Sequence, residues 1–324
     1  MSKKRIVSIA LVVALVAALA AVPTFVKKDS TINLLVLVLL YISLASSWNI
    51  LGGYAGQTSL GHAAFFGLGT LVTRILWLSG RPLLLSLLVG GLVAVVFAMA
   101  IGLPAFKLRG AYFAIGTLAL GQVLYVIVGD RFPLISSLPS KWLSTYQLTP
   151  RYYLFLAVAV VTVAVSYILL RSRRGLGIMA VREDEDAAES LGVSSRRHKL
   201  LALALSSFLA GLVGGAFAYF FVGYYPQFPF GPVWSFDAVT ITYIGGTGTL
   251  VGPIIGAVFY VVVKELLALK LSELHLVVFG TLFILVVLFL PGGLVEAWAR
   301  IRRVFARPTK QQKDTAIPLS QKGA

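Results

Sequence analysis

The residues of this chain that could do chemistry are few, and they fall in three places. The first is Gly52-Gly53-Tyr54-Ala55-Gly56-Gln57-Thr58-Ser59-Leu60-Gly61-His62. The second, roughly 190 residues later, is Gly245-Gly246-Thr247-Gly248-Thr249-Leu250-Val251-Gly252-Pro253. Each follows an apolar segment and opens another. Glycine interrupts helical backbone, and the freed amides and carbonyls can then meet a solute, an ion or another part of the protein. The third place, 171–199, reads RSRRGLGIMAVREDEDAAESLGVSSRRHK and carries seven basic and five acidic residues between two apolar segments. What is missing is equally informative. The chain has no cysteine, and His62 has no second histidine nearby, which argues against a metal site. No G-x-x-x-x-G-K-[ST] sequence occurs, so no P-loop for ATP is expected. The serines of the apolar segments have no evident His–Asp companions, so no catalytic constellation is visible.

The elements that must position these residues are written in the hydropathy. Of 324 residues, 58% are hydrophobic and 12% charged, against about 25% charged in a soluble domain. Stretches free of Asp, Glu, Lys and Arg run 6–26, 30–73, 82–106, 110–129, 152–170, 200–236, 238–263 and 274–295, about two-thirds of the chain. A helix crossing a bilayer needs roughly 20 mostly apolar residues, so the fold class is an all-α polytopic membrane protein. A β-barrel would show short alternating segments instead. About ten spans are expected, at 6–26, 31–51, 58–78, 83–103, 110–129, 152–170, 200–222, 235–245, 249–266 and 274–291. The eighth is too short to cross alone. The first is expected to be retained; a cleaved signal peptide ending at Ala18 and Ala20 would have an overlong apolar core.

With the N-terminus cytoplasmic, the segments 1–5, 52–57, 104–109, 171–199, 246–248 and 292–324 share one side and hold 19 of the 28 Lys and Arg residues. This is the positive-inside pattern, so the net charge of +16 reports topology and contact with membrane lipid; no nucleic-acid partner is expected. The permease domain is expected over 1–299, with a basic tail at 300–324 that is polar and disordered. The groups beginning at spans two and seven start on opposite sides, so the halves are expected to form an inverted repeat with interrupted helices, as transporters do near their substrate pathway. Gly56, Gln57, Ser59, Gly61, His62, Gly246, Thr247, Gly248 and Thr249 are the candidate pathway or gate residues. Tight turns and close helix packing are the simpler roles for the glycines, and a hydrogen bond to a neighbouring helix is the simpler role for His62.

Within 171–199 one short helix is expected, with Glu183, Asp184 and Glu185 in its first turn, where the helix dipole favours anions, and Gly192 just past its end. Ala187, Ala188 and Leu191 form a small apolar face. Such a helix either docks a cytoplasmic partner or merely enforces topology. Elsewhere, Arg74 is expected to snorkel from the outer end of span three. Asp237, Lys264 and Glu265 are expected at the outer interface. No span centre then carries a proton relay, which disfavours an ion-coupled carrier. Trp142, Tyr146, Tyr224, Tyr225 and Trp234 either anchor the interface or contact an external protein.

Four blocks carry a resemblance. Asn49 to Gly67 (NILGGYAGQTSLGHAAFFG), Leu108 to Leu118 (LRGAYFAIGTL), the loop Gly175 to Gly192, and Gly245 to Pro253 occur in this order and closely resemble the branched-chain amino acid permeases of the LivM type. Thr58 stands where leucine is usual in that family, and Ala111 where an acidic residue is. The resemblance implies an inner-membrane permease subunit of an ATP-binding cassette importer in a bacterium or archaeon, for leucine, isoleucine and valine. It further implies a homologous permease subunit of the LivH type, two cytoplasmic ATPase subunits and a periplasmic or extracellular substrate-binding protein. No cofactor would be bound by this chain; ATP would be used by the partner subunits. Arg174, Gly175, Arg182, Glu183, Asp184, Ala187, Ala188, Leu191 and Gly192 would form the ATPase-coupling loop. Urea-type permeases have similar blocks, so urea or a short-chain amide is an alternative cargo. An ion-coupled secondary transporter is the alternative class.

Overall fold

The computed structural model describes residues 3–108, 110–271 and 292–305, with a few positions between 280 and 289. Apolar runs without helix breakers become helices, because a chain that leaves water must satisfy its backbone internally. In order, these are α1 (Lys3–Phe25), α2 (Asp29–Asn49), α3 (His62–Leu78), α4 (Leu83–Ala105), α5 (Ala111–Arg131), α6 (Ser140–Leu143), α7 (Leu148–Arg171), α8 (Arg173–Glu183), α9 (Glu185–Ser190), α10 (Ser195–Phe220), α11 (Val233–Gly245), α12 (Gly252–Leu271) and α13 (Gly293–Phe305). A π-helical turn, Ile50–Tyr54, extends α2. Among the described residues, five segments are long and apolar enough to cross a membrane: Asp29–Tyr54, α4, α5, α7 and α10. Val13–Phe25 and α3 are shorter apolar helices. This is a multi-pass helical membrane protein.

Three expectations about elements are corrected. The span expected at 58–78 begins as helix only at His62, because residues 55–61 form the first interruption. The loop 171–199 holds two helices, α8 and α9, where one was expected. Glu183 closes α8 and Asp184 is the N-cap of α9, its Oδ1 accepting from the Ala187 amide at 2.9 Å, so the acidic first turn is Glu185 and Asp186. Finally, α13 runs across residue 300, so the start of the expected disordered tail is helical to Phe305. Residues 306–324, and nearly all of the tenth expected span at 274–291, lie outside the described residues.

The centre of the bundle is the trio α3, α4 and α10, and small residues let their backbones touch. A Cβ at Gly69 would run into the Gly211 backbone of α10, and one at Gly214 into the Phe66 carbonyl of α3. On the other flank α2 lies between α7, α11 and α12. At the end remote from the 171–199 loop, Ser136–Ser137 pairs antiparallel with Gly223–Tyr224.

Arg74 of α3 holds that end together, and the expected snorkelling is wrong. The side chain is buried, 2% exposed. Its Nε donates to Ser136 Oγ (3.1 Å), Nη1 to the carbonyls of Ala218 (2.8 Å) and Phe221 (3.2 Å), and Nη2 to those of Ser136 and Val222 (2.8 Å each). The last carbonyls of α10 lack intrahelical partners, and a cation there satisfies them with favourable dipole geometry. Most of the aromatic set serves the same inward packing. Tyr224 and Trp234 are buried, Trp142 meets Trp77, and Tyr146 lies over the Arg151 guanidinium. Tyr225 stays exposed.

Asp237 is likewise not interfacial. In α11, which has only 13 residues, Asp237 meets Tyr41, the thirteenth of the 26 residues of Asp29–Tyr54. Tyr41 donates to Oδ2 at 3.0 Å and Tyr260 to Oδ1 at 2.6 Å, while Lys264 Nζ donates to the Tyr260 hydroxyl at 3.1 Å. A carboxylate midway along a span is thus matched by two hydroxyls and a nearby cation. Asp237→Leu is expected to destabilise the detergent-solubilised protein by about 1–3 kcal/mol, because the buried Tyr41 and Tyr260 hydroxyls lose this acceptor. Asp237→Asn should cost less. Thermal unfolding followed by tryptophan fluorescence checks this; an unchanged midpoint for Asp237→Leu would return Asp237 to an exposed position.

Candidate functional site

The two glycine-rich interruptions, far apart in sequence, meet in space. Asn49 ends α2, and its carboxamide makes the join. Nδ2 donates to the Thr249 carbonyl at 2.9 Å, and Oδ1 accepts from the Gly248 amide at 2.9 Å. Gly53 has to be glycine here, since a Cβ would overlap the Asn49 carboxamide and the Gly248 amide. Gly56, Gly246 and Gly248 have φ of 68°, 128° and 75°, a region that L side chains enter at a cost. Thr249 closes its own loop, donating to the Gly246 carbonyl (2.8 Å) and accepting from the Gly252 amide (2.9 Å). The backbone of Gly293, at the start of α13, packs directly on Gly245 and Gly246. Thr247 is half-buried beside them.

Arg182 brings the charged loop into this junction. From the end of α8 its Nη1 donates to the Gly53 carbonyl at 2.8 Å. A Cβ on Gly56 would come within 3.0 Å of Arg182 Cγ, and one on Gly248 would strike Nη1. One side chain therefore lies against both interruptions at once. Arg182 keeps a loose ion pair with Glu183 (3.9 Å), and Glu183 itself is exposed.

The rest of the loop is built to hold α8 and α9 in place. Ser172 caps α8 by accepting from the Gly175 amide at 3.0 Å, and Gly175 packs on the Leu169 carbonyl. Glu185 accepts from Lys199 Nζ (2.6 Å) and Ser195 Oγ (2.5 Å), which ties α9 to α10. Gly192, at φ 83°, ends α9 with its amide donating to the Glu189 carbonyl (2.9 Å), and Val193 donates to that of Ala188 (3.0 Å). This is the paired C-terminal arrangement in which glycine is favoured. Of the expected apolar face, Ala188 is turned inward and 3% exposed, whereas Leu191 is 85% exposed. Arg174, Ala187 and Leu176 are also exposed. The loop therefore offers Leu176 and Leu191 to the outside, and Ala188 serves its own fold.

Ser59, Gly61 and His62 do not join the Arg182 junction. With their neighbours Leu60 and Ala63 they tie the first interruption to α2, α5, α10 and α11. The Trp48 indole donates to the Ser59 carbonyl (2.7 Å), the Leu60 amide to Thr117 Oγ1 of α5 (3.0 Å), and the Ala63 amide to Ser235 Oγ of α11 (2.8 Å). Ser235 thereby satisfies a free amide in the first turn of α3. His62 is buried, with Nε2 2.6 Å from Ser206 Oγ of α10; the Ser206 hydroxyl in turn donates to the Ser47 carbonyl at 2.6 Å. A hydroxyl has one proton, so Nε2 is the donor and Nδ1 the bare nitrogen. The hydrogen-bonded role is the one His62 plays within this chain. The Gln57 carboxamide donates to the Ala55 carbonyl of its own loop at 3.3 Å, and its backbone amide to that of Leu51 at 3.0 Å.

Sequence reasoning passed over Asn49, Ser206 and Ser235. Each is a polar residue inside an apolar run, and that is the available signal, since buried polar groups need partners. Among the described residues no cluster of His, Asp and Glu could hold a metal. The arrangement is a junction of two broken helices and the 171–199 loop, with the Arg182 side chain in contact with both breaks.

A family model described as "Branched-chain amino acid transport system / permease component" matches residues 30–287. The chain is similar to the high-affinity branched-chain amino acid transport system permease protein LivM of Escherichia coli K12, 28% identical over 90% of this chain and 75% of that protein. It is equally similar to LivM of Salmonella typhimurium LT2, 28% identical over 84% of this chain and 71% of that protein. A third relative, the autoinducer 2 import system permease protein LsrC of an Enterobacter species, is 30% identical over 65% of this chain and 66% of that protein. No solved structure matches.

Proposed function

Because the chain belongs to the permease family of branched-chain amino acid transport systems, we propose that it is the membrane-spanning subunit of an ATP-driven importer that carries leucine, isoleucine and valine across the cytoplasmic membrane of a bacterium or archaeon. The reading gives it a homologous permease as neighbour, two cytoplasmic ATPases and an external substrate-binding protein. The observation that supports coupling is Arg182: a side chain on the charged loop that touches both helix interruptions gives a partner ATPase a direct handle on them. Nucleotide shifts the permease between outward- and inward-open states only if the ATPases bind the two states differently. In this reading Leu176 and Leu191 supply the apolar contact for the ATPase, and the interruptions at 55–61 and 246–251 are the gate. The LivM relatives favour branched-chain amino acids as cargo, while the LsrC relative shows that this permease type also serves other solutes.

The test is capture of a tagged copy from native membranes in mild detergent, with identification of its companions by mass spectrometry. One or two ATPases and a sister permease are expected. Leu191→Asp is expected to lower ATPase recovery by about tenfold, the effect of about 1.4 kcal/mol, without changing the amount of folded permease. This exposed position is a cleaner probe than Ala188 or Gly192, whose replacement would disturb the loop itself. Isolation of the chain alone, still transporting after reconstitution without ATPases, would defeat the proposal in favour of ion-coupled transport.

A further inference from the structure

Helix α5 is the least buried of the five long apolar spans. Its packed stripe is narrow and aimed at the first interruption. Thr117 Oγ1 accepts from the Leu60 amide at 3.0 Å, and a Cβ at Gly121 would lie 3.9 Å from the Gly61 Cα. The opposite face presents Ile115, Ala119, Gln122 and Val126, at helical spacing and all exposed. Gln122 is out of place there. It is the twelfth of the 21 residues of α5, and its carboxamide has no hydrogen-bond partner among the described residues. The other polar side chains in the middle of the five spans, from Ser43 to Thr162, Ser206 and Ser207, are buried.

A carboxamide facing hydrocarbon loses its hydrogen bonds to water with nothing in return. Polar groups at membrane depth therefore face protein or a water-filled cavity. We infer that the 115–119–122–126 face of α5 lines the aqueous translocation pathway, and that Gln122 is a solute-contacting residue within it. The chemistry suits a zwitterionic α-amino acid, which rests on the function proposed above. The Gln122 N–H group can donate to the carboxylate and its carbonyl can accept from the ammonium, with Ile115 and Val126 beside it for an aliphatic side chain. Because the other face of α5 is bonded to Leu60 and packed beside Gly61, movement at the interruption is carried to this wall.

Because this chain has no cysteine, any label recovered on it comes from the introduced thiol. Gln122→Cys and Ala119→Cys are each introduced into the full transporter in proteoliposomes, with Val96→Cys, on the exposed apolar face of α4, as reference. A membrane-impermeant thiol reagent is expected to modify the two α5 variants faster than Val96→Cys, and leucine is expected to slow it. Ala119→Cys keeps the test available if Gln122→Cys does not fold. Gln122→Leu should raise the KM for leucine about tenfold, the value of one hydrogen bond, with Gln122→Asn recovering part of it. Fast modification slowed by urea or another solute but not by leucine would uphold the pathway and overturn the amino-acid reading. Modification no faster than at Val96, or efficient oxidative cross-linking of Gln122→Cys to a neighbouring permease, would overturn the inference in favour of lipid or a subunit interface.

Discussion

Arg182→Ala is expected to lower uptake by roughly 10- to 100-fold at unchanged expression, the range that follows from losing one charged hydrogen bond of about 1.5–3 kcal/mol. The guanidinium donates to the Gly53 carbonyl and lies against Gly56 and Gly248, so its removal detaches α8 from both interruptions without opening a cavity in the core. The effect should therefore appear in transport and not in folding. ATP hydrolysis by the assembled transporter is expected to persist while uptake fails, because the ATPases would still dock through the exposed part of the loop. Arg182→Lys should retain part of the activity: a lysine can reach one carbonyl, but it lacks the planar fork that fills the space between two loops. Parallel assays of uptake and ATP hydrolysis in proteoliposomes decide the matter. Normal uptake by Arg182→Ala would remove the junction from the mechanism.

The largest effect on stability is expected at Arg74. Arg74→Leu would leave the carbonyls of Ala218, Phe221, Val222 and Ser136 without the guanidinium that joins α3 to the end of α10 and to the Ser136 strand. A loss of about 3–5 kcal/mol is expected, since each buried carbonyl left without a donor costs about 1–3 kcal/mol. That is a large part of the 5–15 kcal/mol typical of folded domains. Arg74→Lys should recover only a fraction, since an ammonium has three donors from a single point where the guanidinium has five in a plane. Fluorescence-detected size exclusion after graded heating reads this directly. An Arg74→Leu protein with a wild-type unfolding midpoint would show that the network contributes little.

Asn49 belongs to the same logic as Arg182, since its two bonds to Gly248 and Thr249 fix the distance between the interruptions. The two side chains divide the work. Asn49 joins break to break within the membrane-spanning part, and Arg182 joins the pair to the loop.

Much of this was open to reading in one dimension. Charge-free runs placed the helices, because hydrocarbon admits only backbone that bonds to itself. The glycine clusters marked both interruptions, as Gly56, Gly246 and Gly248 adopt backbone angles that other residues resist. Gly192 was placed correctly just past the end of α9 by local chemistry alone. The four ordered blocks pointed to the family. What remained hidden was the direction in which each side chain faces. In a soluble helix the polar side reveals the outside; in a membrane both lipid and protein interior are apolar, so the pattern along α5, α7 or α10 does not say which face is covered. Read from the sequence, Arg74 and Asp237 fall at the interface on that account, and Ala188 shares an apolar face with Leu191 whose direction the sequence leaves open. Only the packed structure shows Arg74 turned toward α10, Asp237 beside Tyr41 and Tyr260, and Ala188 turned inward. The same limit governs the junction. The hydrogen bonds from Asn49 to Thr249 and from Arg182 to Gly53 link residues 200 and 129 positions apart, and such distances are closed by the fold of the whole bundle, not by any local preference of the chain.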